Sequence, residues 1–382
     1  MHRLRRFTAG IAIAATAAIV AATAPALADP VNGSGKAVTP KSYDIVSVGA
    51  DTDEFLFDQL STLYDASIPA KDHNAKHPYV YSWDATKPGS TSTAKTTIRP
   101  KAGCGVITRP NGGNAGLTAL DDNTVDGKTG HYCIDFARTS SGRSSTAPAP
   151  GKGGVAYVAL AEDAVTYATR DKGATKTVPA TYAPKNLTTT QLKAIFLCSD
   201  INWDQVGGPD EPIKAYLPPA SAATTTFWLK ALGITEPGSC VNQSLEQNQG
   251  LSKQFNSPNA IFIYSVGDWI AQKYHSALPG HKPTKSQNQF GSDQIGYLGL
   301  NKIDGVSPIT TAKIPTINKG FKATGFTRTL YDIVRWASTK DHIPAYLEPI
   351  LSRTGYFCHN SKAVKAIEDY GFLPAATCGS AS

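Results

Sequence analysis

The stretch LTTTQLKAIFLCSDINWDQVGGPDEPIKAYLPPASAATTTFWLKALG, residues 187–233, sets a hydroxyl-rich loop free of carboxylates directly before an amphipathic segment. Pro218 and Pro219 block helix upstream. Ser221, Thr224, Thr225 and Thr226 follow, and the apolar run Phe227, Trp228, Leu229, Ala231 and Leu232 stops at Gly233. A helix is therefore expected to begin within the hydroxyl run and to end at the glycine. The first N–H groups of a helix lack partners inside it and carry partial positive charge, so with nearby hydroxyls they can bind an oxyanion. A Ser or Thr that merely caps a helix has the same appearance, so the reading needs support from elsewhere in the chain.

Three further loops supply that support. Residues 133–145, CIDFARTSSGRSS, follow a short apolar segment and place two arginines among hydroxyls. The forked guanidinium is the side chain best suited to an oxyanion. Residues 46–52, VSVGADT, alternate like a strand, turn at Gly49 and lead into Phe55, Leu56 and Leu60 at helical spacing. Residues 109–116, RPNGGNAG, are a glycine-rich entry to the apolar positions Leu117 and Leu120. Four such loops converging on one pocket would make an anion site.

Taken in order from about Tyr43 to Phe372, these segments resemble type 2 periplasmic substrate-binding proteins, specifically the phosphate-binding component of bacterial ABC importers in a secreted, actinobacterial-type variant. LTTTQLKAIFLCSDINWDQVGG is similar to the family's L-T-x-x-Q-L-x-x-I-(Y/F)…I-x-x-W-x-x-(L/V)-G, and YLPPASAATTTFWLKALG to its R-x-x-G-S-G-T-x-x-x-F ligand loop. RPNGGNAGLTAL stands where the family has G-S-G-x-G-I, IDFARTSS where it has D-F-x-x-S-D, and NAIFIYSVGDWIAQK where it has x-x-I-G-Y-x-x-x-x-x-A. The resemblance implies an α/β fold of two lobes, each a mixed sheet flanked by helices, joined by two hinge strands. It implies a binding protein rather than an enzyme, with no catalytic residues, no metal and no cofactor. Its ligand would be a small oxyanion, most simply inorganic phosphate, and its partner an ABC permease.

Carried onto this chain, the ligand loops are Ala50, Asp51 and Thr52; Asn111, Gly112 and Gly113; Arg138, Thr139, Ser140, Ser141 and Arg143; and Ser221, Ala222, Thr224 and Thr225. Hydroxyls and helix-start N–H groups would surround the anion, with Arg138 or Arg143 as countercharge. The chain departs from the pattern at three places. The family's carboxylate after the D-F strand, which accepts the proton of hydrogen phosphate, falls at Ser140 or Ser141. Leu217, Pro218 and Pro219 stand where an Arg precedes the ligand loop, and alanines replace both glycines of G-S-G-T. Asp51 or Asp53 is then the candidate proton acceptor. These departures leave a second reading open: a binding-fold protein with altered or lost phosphate specificity, acting as an extracellular scavenger, sensor or adhesion module. A hydrolase using Ser140, Ser141 or Ser221 would need a base and an orienting acid, and no such His and Asp set is recognisable.

Composition fits a secreted binding protein. Arg3, Arg5 and Arg6, an Ala/Ile/Val run and Ala26-Leu27-Ala28 form a signal peptide over residues 1–28, cleaved near Ala28. Without those arginines the formal charge of +7 falls to about +4, which does not suggest a nucleic-acid binder. No cysteine adjoins the cleavage site to carry a lipid anchor, and no further apolar run approaches the roughly 20 residues of a membrane span. Six cysteines in an exported chain favour disulfides. Fifteen pairings exist in principle; spacing favours nearest neighbours, Cys104 with Cys133, Cys198 with Cys240 and Cys358 with Cys378.

The domain reading takes 29–42 as a flexible lead-in, 43–158 plus 262–382 as the first lobe and 159–261 as an inserted second lobe, with crossings at 153–160 and 259–264. A monomer is expected. Polar insertions are read at 85–99 and 280–292. His73 and His77 stand at a metal-compatible spacing, but Pro78 follows and no local carboxylate–His set completes a site. Trp203, Trp228 and Trp269 fall within apolar patterns and read as core.

Overall fold

The computed structural model describes residues 29–30, 37–87, 95–122, 124–143, 147–274 and 295–381. The expected signal peptide at 1–28, the insertion at 280–292 and part of that at 85–99 lie outside the described residues, as do 31–36 of the lead-in.

A nine-stranded mixed sheet organises the described chain. Its strands are β1 (Ile45–Gly49), β2 (Val80–Ser82), β3 (Phe136–Thr139), β4 (Val155–Arg170), β5 (Lys214–Ala215), β6 (Ala260–Ser265), β7 (Leu298–Leu300), β8 (Thr327–Arg335) and β9 (Leu373–Pro374). The order is β2-β1-β3-β8-β4-β6-β5, with β7 and β9 also paired to β4. Parallel pairing joins β1 to β2 and β3, and β5 to β6; β8 runs antiparallel to β3 and β4. The sheet is flanked by α1 (Glu54–Asp65), α2 (Gly113–Asp121), α3 (Thr189–Phe196), α4 (Ala223–Leu232), α5 (Val266–Tyr274) and α6 (Ser361–Asp369).

The 16-residue β4, VAYVALAEDAVTYATR, is buried at every position but Glu162, because helices cover both faces of the sheet. At about 3.3 Å per residue it extends roughly 50 Å, long enough to belong to both lobes. Its first half pairs with β8 (Val155↔Arg335 to Ala164↔Thr327) and its second half with β6 (Val165↔Ser265 to Thr169↔Ile261). This is the two-lobed α/β architecture expected of the sequence.

Two cores flank the crossing. One gathers residues from Ile45 to Ala161 and from Leu330 to the C-terminal segment, Phe57, Phe136 and Phe357 among them, together with Ala271 of α5. The other gathers residues from Ala164 to Phe326, including the fully buried Trp203 and Trp228 and, with only 3% of its surface exposed, Trp269. The second core also holds Phe262, Tyr264, Trp269, Leu298 and Phe321, which the sequence reading put in the first lobe. Ala260 to Tyr264 of β6 pack in the second core. We propose lobes of 43–163 plus 327–381 and 164–326 in place of the boundaries read from sequence.

Local chemistry explains the element ends. At α3, Thr188 and Gln191 form a reciprocal capping box. Gly233, at φ +65°, closes α4 in the left-handed conformation that glycine adopts without penalty. Disulfides join Cys104 to Cys133, Cys198 to Cys240 and Cys358 to Cys378. The second ties the end of α3 to a segment 42 residues on. Replacing Cys198 and Cys240 together by Ser is expected to lower stability by about 3–4 kcal/mol through the freed loop entropy of the unfolded chain. A urea midpoint unchanged from that of the parent would contradict this.

Candidate functional site

The register Gly49↔Arg138 puts the C-terminal ends of β1 and β3 at one edge of the sheet, so residues 50–52 and 139–141 leave it side by side. Asn111 bridges to Gly49, and the Gly112 N–H donates to the Gly49 carbonyl, which brings the start of α2 to the same edge. Gly49 itself, at φ +128°, has no room for a Cβ against the Arg138 carbonyl. Strand ends of this kind, followed by helix starts, are where open α/β sheets bind ligands.

The second lobe faces this edge with the starts of α4 and α5 and with residues 246–248. Ala222, the N-cap of α4, has no side-chain cap, so the first-turn N–H groups are left for another acceptor. Thr225 is turned inward, its hydroxyl donating to the Pro218 carbonyl at 3.0 Å.

Between the lobes stands Arg328, at the start of β8. It is paired across the strands with Asp163 of β4 and only 7% exposed. Its Nε and Nη2 both donate to Asp163 Oδ2, at 3.1 and 3.0 Å. Asp163 Oδ1 is held in turn by the Ser265 hydroxyl at 3.0 Å and the Gly267 N–H at 3.2 Å, at the start of α5. The carboxylate thereby fixes the guanidinium plane. Nη1 is left to donate to the Thr224 hydroxyl of the second lobe at 3.0 Å, and Nη2 reaches the Thr52 hydroxyl of the first at 3.5 Å. Phe227 lies beneath the guanidinium, 5.5 Å from ring centre to Cζ.

A second contact crosses the lobes beside it. Gln247 Nε2 donates to Asp51 Oδ1 and Asn248 Nδ2 to Asp51 Oδ2. Burial pushes the Asp51 carboxyl up to about 7, with Glu246 adding to the effect and Arg328 opposing it. Glu246 is itself raised by burial and hydrogen-bonded to the Asn111 side chain. Asp53 is raised to about 6 by burial against the opposition of Arg138. Burial also raises Asp163, opposed chiefly by Arg328.

Of the residues chosen from sequence, Thr52 and Thr224 meet around Arg328, with Asp51 next to them. Ser140 is buried at the end of β3, and its hydroxyl has no hydrogen-bond partner among the described residues. Thr139 Oγ1 accepts the Ser141 N–H, and a Cβ at Gly113 would overlap that threonine. Ala50 accepts from Arg138 Nε, and Ser221 is exposed.

The two arginines expected as countercharge are placed otherwise. Arg138 is fully buried inside the first lobe, donating to Ala50 O, Ser47 Oγ, Ser82 Oγ and Trp83 O, with Asp53 at 3.6 Å. Arg143 donates to the carbonyls of Pro148 and Val155 and lies over Tyr157. Sequence reasoning passed over Arg328, Asp163, Gln247 and Asn248. One signal was present: in TRTLYDIVR, Arg328 shares the buried register with Leu330, Asp332 and Val334. A charge in such a register needs a partner. Surface cavities of about 530 and 550 Å³ lie beside α4 and beside α2, and neither is lined by Thr52, Asp163, Thr224 or Arg328.

Residues 84–333 match the PBP superfamily domain, most of the chain and both sides of this seam. The chain is a member of the PBP superfamily. The match takes in β3, β4, α4, α5 and nearly all of β8, so Arg328, Asp163 and Thr224 belong to the superfamily domain. No curated protein matches the chain. Solved structures do, among them an ABC-type phosphate transport receptor from Vibrio cholerae at 15% identity, covering 87% of this chain and 100% of that one with a TM-score of 0.50. Another is a putative phosphate ABC transporter substrate-binding protein with bound phosphate from Clostridium perfringens, at 12% identity, 87% and 99% coverage and a TM-score of 0.51. At these identities the likeness is one of fold.

Proposed function

We propose that this PBP superfamily chain is a secreted solute-binding protein that captures a small tetrahedral oxyanion, inorganic phosphate first, between its lobes for delivery to an ABC importer. The observation that carries the reading is Arg328. It is a guanidinium fixed by a buried carboxylate, directed at a hydroxyl from each lobe and flanked by the uncapped start of α4. The family's arginine ahead of the ligand loop is replaced here by Leu217-Pro218-Pro219, and Arg328 supplies the missing charge from a strand of the sheet. The phosphate-binding character of structures with the same fold supports the choice of ion.

In this mechanism the anion enters the seam and takes Nη1 and Nη2 of Arg328 as charge-assisted donors. Thr52 and Thr224 turn their hydroxyls from accepting toward donating, and the first N–H groups of α4 complete the shell. Ligand contacts to both lobes then favour the closed arrangement, in which Gln247 and Asn248 hold Asp51. Asp51, buried beside the site, is the acceptor available to a protonated oxyanion, and such an acceptor favours hydrogen phosphate over sulfate.

Isothermal titration of the mature chain, freed of ligand by partial unfolding, with phosphate and with sulfate tests this. Micromolar or tighter phosphate binding with weaker sulfate binding is expected. Heat from neither ion would sink the oxyanion reading and favour the scavenger, sensor or adhesion alternative. Thr224→Val, which removes one hydroxyl and keeps the shape, is expected to weaken phosphate binding about tenfold with little change in stability. Unchanged affinity would remove Thr224 from the ligand shell.

A further inference from the structure

Three consecutive side chains of the second lobe reach across the seam to the first. Glu246 is hydrogen-bonded to Asn111, Gln247 Nε2 donates to Asp51 Oδ1, and Asn248 Nδ2 donates to Asp51 Oδ2 at 3.3 Å. Their targets sit together at the C-terminal end of β1: Asp51 follows the strand in the chain, and Asn111 bridges to Gly49, its last residue. Asp51, Gln247 and Asn248 are all buried, so water competes poorly for these bonds.

The second lobe anchors this segment from behind. Leu245 packs in its core. Asn248 takes a left-handed conformation, φ +54°, which asparagine adopts more readily than most residues. Its carbonyl accepts from the Tyr264 hydroxyl and from Gln272 Nε2 at 2.9 Å, and its Oδ1 accepts the Ser265 N–H at 3.2 Å. β6 and α5 thus hold Asn248 in place, with its Nδ2 directed at Asp51. Gln247 is used for the crossing alone: its Oε1 has no hydrogen-bond partner among the described residues, and its Nε2 goes to Asp51. Parting the lobes breaks all three contacts. Each bond to a carboxylate lost on opening is worth about tenfold in the equilibrium between open and closed lobes.

We propose that residues 246–248 are an interlobe latch that closes the seam ahead of the anion, so that the closed form predominates before binding and the ligand enters through a minor open form. This rests on the oxyanion reading above for the identity of the ligand; the latch itself is a contact between the lobes. A latch made both before and after binding slows entry and exit together. Entry is slowed because only the open fraction can take up the ion. Exit is slowed because the same bonds must break before the ion leaves. A contact formed only after the ion has bound would slow exit alone, and the two cases are therefore separated by the association rate.

Phosphorus-31 exchange NMR with inorganic phosphate reads both rates for the mature parent and for Gln247→Ala, a neutral change that leaves the charge of the seam as it is; circular dichroism checks the fold. In the variant the association rate should rise about tenfold and the dissociation rate by at least as much. An association rate that is unchanged or lower would overturn the proposal, because neither lost stability nor a lost ligand contact speeds entry. Small-angle X-ray scattering gives a second reading. The parent should show the same radius of gyration with and without phosphate, whereas Gln247→Ala combined with Asn111→Ala, which removes the contacts of both Gln247 and Glu246, should be wider without phosphate. A parent that contracts when phosphate is added would contradict the latch. If the parent binds no phosphate, the oxyanion reading fails and the scattering still decides the latch: a double variant wider than the parent supports it, and equal radii refute it.

Discussion

Arg328→Gln is expected to weaken phosphate binding by at least a hundredfold. The guanidinium offers the anion two charge-assisted hydrogen bonds, each worth about 1.5–3 kcal/mol, and their sum corresponds to two or more orders of magnitude in Kd. The same change leaves Asp163 buried with only Ser265 and Gly267 as donors. Breaking a buried pair from one side costs about 3–5 kcal/mol, so the variant should also unfold at lower urea. Adding Asp163→Asn separates the two effects, because the double variant has no unpaired buried charge. It should recover most of the stability and none of the affinity. Wild-type affinity in the single variant would exclude Arg328 from the ligand shell.

Arg138→Met is expected to show the opposite pattern, with a loss of roughly 3–5 kcal/mol of stability and far less change in binding for the protein that remains folded. Four acceptors, Ala50 O, Ser47 Oγ, Ser82 Oγ and Trp83 O, lose a donor inside the first lobe. Each buried group left unsatisfied carries a desolvation penalty of about 1–3 kcal/mol, which relaxation of the site reduces in part. Asp53 and Asp332, whose carboxyls Arg138 counterbalances, would bind protons more tightly still. Comparing urea unfolding with calorimetric affinity for the two arginine variants assigns one guanidinium to the ligand and the other to the lobe. A large loss of affinity in Arg138→Met at unchanged stability would reverse the assignment.

Elements with a local cause were legible in the sequence. Pro218-Pro219 and Gly233 bracket α4 because proline blocks the helix and glycine takes its left-handed end. Alternation followed by helical spacing gives β1 and α1, and the glycine at 49 marks a close backbone approach. Thr52 and Thr224 were singled out for the same reason, since each sits at a helix start.

What escaped depends on register across the sheet. Arg138 and Arg328 both lie on strands, and sequence spacing does not say which enters the lobe and which faces the seam. That is decided by the pairings Gly49↔Arg138 and Asp163↔Arg328, between segments 89 and 165 residues apart. The return crossing proposed here differs from the sequence reading for a related reason. AIFIYS, residues 260–265, and TRTLYDIVR, residues 327–335, are both apolar enough to cross, and only their partners on β4 distinguish them. Gln247 and Asn248 lie in a loop with no periodic signal, and their role depends on Asp51, about two hundred residues earlier in the chain.

The most direct test of an oxyanion held between the lobes is a crystal structure of the mature chain with arsenate, located by its anomalous scattering. The account predicts an arsenic peak within hydrogen-bond reach of the Arg328 guanidinium, with oxygens directed at Thr52 and Thr224. No peak in the seam at saturating arsenate, or a peak only beside Arg138, Arg143 or the outer surface, would contradict it.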